Sequence, residues 1–174
     1  MTYLFPIATT TSAGIVQAGA NISIDATGVI STPGGSATTV GIWTPTIAVS
    51  TAGTITLLVT TANYAKTGQQ VICYFDITLA ARTGGTNTSA LTLNGLPFAS
   101  IAGVGTVGSL VVSVFENLKV NQSYITGTIE GNSTSVQLYT IHNATDNIRL
   151  TYADVQVTPA PTRLVGTITY LSAS

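Results

Sequence analysis

The sequence contains very few charged residues. They occupy 6% of the 174 positions, whereas about a quarter of a typical soluble protein is charged. With five basic and six acidic residues the formal net charge is −1, so no electrostatic attraction to nucleic acid or to an anionic membrane is expected. Thr, Ser, Gly and Ala replace the charges, which disfavours amphipathic helices because these usually carry Lys and Glu on one face. A monomer with so little charge repulsion is expected to self-associate.

Cysteine and histidine occur only once each, as Cys73 and His142. A single cysteine excludes an internal disulfide framework, and its alternation with apolar neighbours predicts a buried, unreactive side chain. A Ser-His-Asp triad would need His142 together with Asp146 or Asp154, and no serine stands in a G-x-S-x-G elbow. The stretch HNATDN at 142–147 is explained more simply as a polar turn than as a metal site.

The remaining acids give no better support for catalysis. Asp76 and Glu130 are the only carboxylates in the middle of predicted strands, and nothing in the sequence brings them together as a glycosidase pair. The Gly103-Val-Gly105 stretch lies in an all-β setting and is not expected to bind phosphate. The sequence therefore predicts a protein that is not an enzyme and that holds no metal or cofactor.

A membrane-spanning helix is also not expected, although residues 91–115 (LTLNGLPFASIAGVGTVGSLVVSVF) contain no charge. Length alone would allow a span, but Asn94, Pro97 and four glycines would interrupt a helix repeatedly. The stretch predicts two strands, 90–94 and 109–115, joined through a glycine-rich loop at 102–108. That loop is expected either at the axis of an oligomer or at an exposed tip.

Period-two alternation is the pattern that the sequence does contain, and it predicts β-strands. The strongest case is QVICYFDITL at 70–79, where Val71, Cys73 and Phe75 point to one face and Tyr74 to the other. Eight or so such strands, separated by Gly, Pro, Asn and Asp, predict an all-β fold with an antiparallel β-sandwich or jelly-roll-like domain. Only 117–122 and 142–147 suggest a helical turn. The other predicted strands are 54–60, 90–93, 109–115, 123–130, 135–141, 148–152 and 163–171.

The first forty residues follow a different pattern. Very short β pieces at 21–24 and 29–31 are joined by small residues and end in Pro33-Gly34-Gly35, a natural linker. We therefore predict an N-terminal arm, 1–36, and a β-sandwich domain, 37–174. Two or three such pieces cannot bury a core alone, so the arm must pack on its own domain, on other copies or on a host surface. The start of the chain lacks a basic n-region, and Pro6 breaks its apolar run, so no secretory signal is expected.

Aromatic side chains offer a second route to function, because carbohydrate-binding proteins stack sugars on exposed rings. For each candidate the simpler interpretation is a core or interface aromatic whose polar tip is hydrogen-bonded. Tyr74 is the best candidate for an exposed contact, since its strand neighbours place it on the opposite face, and that face could equally be a subunit interface. The other candidates are Trp43, Tyr64, Tyr124, Tyr139 and Tyr152.

Three stretches in succession carry a resemblance to a known family. They are GIWTPT at 41–46, ANYAKTG at 62–68 running into the strand at 70–79, and LTLNGLPF at 91–98. This succession resembles the β-sandwich domain at the ends of many bacteriophage tail fibres and related virion proteins. Residues 8–31 resemble short repeats of phage fibres and capsid decorations, although Gln17 stands where such repeats often have Lys. The resemblance implies homotrimers, no catalysis, and a role in building the particle or touching the host.

From this resemblance we expect a trimeric capsid decoration, cement or head-fibre protein, assembled in the bacterial cytoplasm and located in the virion. Its expected partners are its own copies and the major capsid protein or another virion protein. Tyr3, Leu4, Phe5 and Ile7 are the expected capsid-docking residues, and the alternative is that they fold back on their own domain. The alternative function is the receptor-binding tip of a tail fibre, for which a host-surface glycan is the expected ligand. A sugar-binding module is a third hypothesis.

Overall fold

The structure is a computed structural model that describes residues 23–24, 30–31, 37–103, 105–119, 122–142 and 146–173. It divides the chain into two units, residues 1–37 and 38–174. In the first unit, two short strands pair antiparallel, with Ser23 opposite Ser31 and Ile24 opposite Ile30. They lie within the short pieces that the sequence predicts. The docking residues expected at Tyr3, Leu4, Phe5 and Ile7 lie outside the described residues.

The strands of the described residues are β1 (Ser23–Ile24), β2 (Ile30–Ser31), β3 (Thr38–Ile42), β4 (Thr46–Val49), β5 (Gly53–Thr67), β6 (Gln70–Gly84), β7 (Leu91–Asn94), β8 (Thr106–Glu116), β9 (Gln122–Glu130), β10 (Ser135–His142), β11 (Asp146–Arg149) and β12 (Arg163–Leu171). The second unit is built from one antiparallel sheet of ten strands, ordered β3-β5-β6-β12-β8-β9-β10-β7-β4, with β11 added beside β10. The sheet curls into a half-barrel, which confirms the predicted all-β, antiparallel, sandwich-like class.

The first and the last strand in the sheet order, β3 and β4, follow each other directly in the chain. β3 pairs with β5 and β4 pairs with β7, and only residues 43–45 separate β3 from β4. β4 also packs beside β5, so the curled sheet brings its own ends near each other. A single sheet therefore supplies both walls around one core.

Alternating side chains from these strands fill the core. Along β6, Val71, Cys73, Phe75, Ile77 and Leu79 are each at most 1% exposed. β7 to β10 and β12 contribute further fully buried Leu, Ile and Val side chains. Burying one such side chain contributes about 1.5–3 kcal/mol relative to leaving it in water. Burial of these alternating apolar side chains therefore makes a large contribution to the stability of the fold.

The structure also corrects several sequence predictions. Two strands, β3 and β4, were not predicted at all, and β5, β6 and β8 extend beyond the predicted bounds. The predicted strand 148–152 lies instead at Asp146–Arg149. No helix occurs among the residues that the structure describes, so none is found there that is long and apolar enough to cross a membrane. The helical turns suggested at 117–122 and 142–147 are wrong where these ranges are described, since Gln122, His142 and Asp146 belong to strands.

Candidate functional site

The three stretches that carry the family resemblance lie against one another. Trp43 meets the ring of Phe75 edge to face, with ring centroids 6.3 Å apart. Tyr64 meets Phe98 in the same way at 5.3 Å, and the ammonium of Lys66 lies 5.3 Å from the centre of the Phe98 ring. Such edge-to-face and cation–π pairs stabilise a core beyond their buried area. The stretches at 41–46, 62–68 and 91–98 therefore form a packing cluster.

The LNGLPF stretch contains a glycine, Gly95, that its backbone geometry requires. Its backbone φ is +93°, in the region that residues with a side chain rarely adopt. A Cβ at this position would also collide with the carbonyl oxygen of Thr44. Glycine is therefore needed where the LNGLPF turn approaches the GIWTPT stretch.

Asp76, one of the two carboxylates considered for a glycosidase pair, belongs to an ion-pair cluster on the outer side of the sheet. Arg163 donates from Nε to Oδ1 at 2.9 Å and from Nη2 to Oδ2 at 2.8 Å, and its Nη1 donates to Glu116 at 3.4 Å. These hydrogen bonds hold the pKa of Asp76 below its ordinary value. A carboxylate held in this way by a fork of two N–H groups is a structural ion pair.

Glu130, the other carboxylate considered for a glycosidase pair, lies on β9. Strands β12 and β8 separate β9 from β6, the strand of Asp76. Glu130 accepts a hydrogen bond from Gln137, whose own amide oxygen accepts bonds from Tyr139 and Arg149. The structure does not bring the two carboxylates together. It also shows no group of three or more His, Cys, Asp or Glu residues among the described positions that could hold a metal ion.

The remaining catalytic candidates are placed as follows. Asp154 accepts hydrogen bonds from the backbone N–H and the hydroxyl of Thr151, 2.8 and 2.6 Å away, and so closes a turn. The side chains of His142 and Asp146 lie outside what the structure describes. Cys73 is fully buried, and burial raises the pKa of its thiol to about 12. A thiol in this environment is not a nucleophile at neutral pH.

The most distinctive surface of the unit 38–174 is the convex side of the sheet, here called the outer face. Period-two alternation places Tyr74 and Ile72 on this side, opposite the buried Cys73 and Phe75. The strand register aligns one row of residues across the face: Ile42, Asn63, Tyr74, Thr167, Val111, Thr126, Tyr139 and Arg149. Seven apolar residues of β3, β6, β8 and β12 belong to the outer face and are between 40% and 83% exposed: Val40, Ile42, Ile72, Tyr74, Val111, Val114 and Leu171. An exposed apolar surface of this kind marks an interaction site.

At one end of the outer face lies an open groove with a volume of about 550 Å³. Val40 and Ile42 of the edge strand β3 form one side, and Ile72 and Tyr74 of β6 form the other. Asn63 lies between them, opposite both Ile42 and Tyr74 in the strand register. The groove also includes Gly41, Tyr64 and Ala65 and contains no charged side chain. It therefore suits an apolar or uncharged partner.

The aromatic candidates divide between the core and the outer face. Tyr74 lies on the outer face at 42% exposure, and its role as a contact stays a prediction. Trp43 is buried and donates its indole N–H to the carbonyl of Tyr74, 3.1 Å away. Tyr152 is also buried, and the guanidinium of Arg82 lies 4.6 Å from the centre of its ring. Tyr64 packs on Phe98, whereas Tyr124 is exposed.

Sequence reasoning missed Val40, Ile42 and Val111 as surface residues. Val40 and Ile42 are 72% and 83% exposed, and their strand was not predicted because it is short and contains Gly41. Val111 alternates with the buried Leu110 and Val112, a signal that the sequence does contain. Alternation alone could not show that the outward residues of four different strands would form one apolar face.

Comparison of the chain with protein-family models, with curated proteins and with solved structures gave no match. The resemblance to phage virion proteins therefore stays a prediction that depends on the three stretches alone.

Proposed function

We propose that the protein is a non-enzymatic structural protein of a bacteriophage particle that functions by assembling with its own copies and with the particle surface. The single observation that carries this proposal is the outer face, where seven apolar side chains from β3, β6, β8 and β12 are left exposed. Groups of exposed apolar side chains on one face often mark an interaction site. Burial of this face between copies would remove it from water.

The charge distribution supports assembly with like copies. The described charged residues on the outer side of these strands, Asp76, Glu116 and Arg163, are already paired with one another. Symmetric association opposes each surface patch to a related patch of an identical chain, so unpaired charges of one sign would repel. Arg163 pairs with both acids and offsets one of their two negative charges, which reduces this repulsion. We expect a homotrimer, as the family resemblance implies, with residues 1–36 attaching it to the capsid.

A second candidate is a tail-fibre tip that binds a host-surface glycan. The observation that favours it is the groove itself, where the exposed Tyr74 ring lies beside the amide of Asn63. An aromatic face next to a hydrogen-bonding amide is the usual chemistry of sugar recognition. In this alternative the groove binds ligand instead of a second copy.

The test of self-assembly is sedimentation equilibrium of the full chain at several concentrations. We expect a species of three times 17.8 kDa, and we expect Ile72→Lys and Val111→Lys to shift it toward the monomer, because a lysine on the outer face would be buried without a partner. Asn87→Lys, which adds the same charge in an exposed loop, is the matched control. A wild-type chain that stays monomeric at every concentration would contradict the proposal.

Location is tested separately, by immunogold electron microscopy of phage particles that contain the protein. Label spread over the head supports a decoration or head-fibre protein, and label confined to the tail supports the fibre tip. Binding to a glycan array that is lost in Tyr74→Ala would favour the second candidate. Absence of label from purified particles would contradict both.

A further inference from the structure

Strand β3 has a free edge that a further strand can join. It pairs with β5 on one side, and within the unit 38–174 no described strand pairs with its other side. Its exposed residues include no Lys, Pro or other device that natural proteins use to block an edge. The edge is therefore open to pairing with another chain.

The hydrogen bonds of β3 show which of its backbone groups are free. The N–H of Trp43 donates to the carbonyl of Ala62, so the pair Trp43–Ala62 is a hydrogen-bonded pair of the ladder. Antiparallel pairs alternate between hydrogen-bonded and non-hydrogen-bonded, so Gly41 and Thr39 also bond to β5. The N–H and C=O groups of Thr38, Val40 and Ile42 consequently point away from β5, toward the free edge.

These three residues also carry side chains on the outer face. Val40 and Ile42 are among its most exposed members and form the wall of the groove, and the hydroxyl of Thr38 is hydrogen-bonded to that of Thr67, its neighbour on β5. The same positions thus offer free backbone groups at the edge and apolar side chains beside it. Main-chain bonds and alternate side chains are the two components of recognition by strand addition.

We propose that β3 of a second copy of this chain adds to this edge, antiparallel and across a two-fold axis at Val40. In that register Val40 of one copy lies opposite Val40 of the other. Thr38 of each copy lies opposite Ile42 of the other, which gives one such pair on each side of the axis. Each hydrogen-bonded pair exchanges two bonds, so the three pairs make about six. A two-fold axis does not occur within a three-fold ring, so this pairing joins two trimers, and it rests on the self-assembly proposed above.

The charges favour a second copy over a different partner. A two-fold axis at Val40 places the same short strand on both sides of the contact, so a β3 edge with charges of one sign would repel its copy. The sequence of β3, TTVGI, has no charge. Lys66 lies opposite Thr39 in the register, and its ammonium donates to the carbonyl of Gly68, 2.6 Å away, and faces the ring of Phe98. Another strand paired on one side only, β11, carries Arg149 and Asp146 and is less suited to pairing with itself.

A single introduced cysteine tests this geometry in the full chain. Opposed residues of a hydrogen-bonded pair have Cα atoms about 5.5 Å apart, within the range of about 4.4–6.8 Å that a disulfide spans. Native Cys73 is fully buried and does not compete. With diamide as the oxidant, we expect Val40→Cys to form a covalent dimer at least about tenfold faster than Val111→Cys, which places the thiol on the same face but away from the edge.

A backbone variant tests the hydrogen bonds. Val40→Pro removes an N–H that points to the free edge and leaves the bonds from Thr39 and Gly41 to β5 in place, which is the position where an edge strand tolerates proline. Val40→Thr, which keeps the N–H, is its matched control. We expect the proline variant to raise the dissociation constant of the pair at least tenfold more than the threonine variant, with the circular dichroism spectrum of the sheet unchanged.

Each outcome gives a decision. Selective dimers through residue 40 support the pairing. Dimers through residue 111 but not 40, or at equal rates through both, overturn the β3 pairing and leave assembly through the outer face intact. An oligomer that forms no disulfide through residue 40 also overturns the β3 pairing. Coverage of the edge by the chain's own N-terminal segment would give this result. A chain that is monomeric and forms no dimer through either position overturns the proposed self-assembly as well.

Discussion

The hydroxyl of Tyr170 is hydrogen-bonded to both backbone groups of Phe98. It donates to the carbonyl oxygen at 2.9 Å and accepts from the N–H at 3.3 Å. The Tyr170 side chain is 2% exposed, so this hydroxyl holds the LNGLPF turn against β12 in a place that water does not reach.

We predict that Tyr170→Phe lowers the free energy of unfolding by about 1–3 kcal/mol, because it removes both bonds from this hydroxyl to the backbone of the partly buried Phe98. Chemical denaturation monitored by circular dichroism measures the change. Tyr124→Phe, which removes a hydroxyl from an exposed ring, is the control and should change stability by less than about 0.5 kcal/mol. Equal effects of the two variants would show that the bonds to Phe98 contribute nothing.

Gly95→Ala is predicted to destabilise the domain through contact with Thr44. Gly95 and Gly105 have nearly the same backbone φ, +93° and +94°, so both alanine variants incur the same left-handed strain. Only at position 95 does the added Cβ meet another group, and at position 105 nothing lies within 4 Å. We expect Gly95→Ala to lower the thermal midpoint further than Gly105→Ala. Equal shifts would assign the whole effect to φ and none to the approach of Thr44.

Several features of this packing could be predicted from the sequence and others could not. The alternation in 70–79 predicted both faces of β6 because its inward residues are all apolar. Residues 62–67 were not predicted as part of β5, because Lys66 on the inward side interrupts that alternation. Lys66 is tolerated there because its ammonium finds the Phe98 ring and the carbonyl of Gly68. Phe98 comes from a distant segment of the chain, which no local pattern shows.

The outer face and the β3 edge show the same limit. β3 and β4 are five and four residues long, and Gly41 and Pro45 obscure the pattern around them. The order of strands in the sheet depends on long-range pairing, so the sequence could not show that β3 would form an edge.

The ion pair of Asp76 is predicted to make stability depend on pH in the acid range. The bonds from Arg163 lower the pKa of Asp76 in the folded state relative to its ordinary value of 3.8. A carboxyl with a depressed folded-state pKa contributes its full stabilisation above the unfolded-state value and loses it as the pH falls through the folded-state value. Wild type should therefore be more stable than Asp76→Asn at neutral pH, and the difference should shrink below about pH 4.

Thermal unfolding of both proteins between neutral pH and pH 2 measures this. Glu130→Gln is the matched control, since Glu130 is bonded to a neutral Gln137 instead of an arginine. A difference between wild type and Asp76→Asn that stays constant across the range would contradict the assignment.

Cys73 is predicted to be unreactive in the folded protein. Burial raises the pKa of its thiol to about 12, and only the thiolate attacks a disulfide reagent. At pH 8 we expect labelling to be about a hundredfold or more slower than in the same protein unfolded by guanidinium. Rapid labelling under native conditions would show that the core opens at β6, the strand that contains Cys73.

The three residues between β3 and β4 act as a permanent tether. The chain from Ile42 to Thr46 can span at most about 14 Å even when fully extended, yet it joins the two borders of the whole sheet. Thermal motion therefore cannot move Ile42 and Thr46 further apart than that distance while the backbone is intact. A single nick in Trp43-Thr44-Pro45 would remove this limit and leave the two borders held only by strand pairing and by the packing of β4 beside β5.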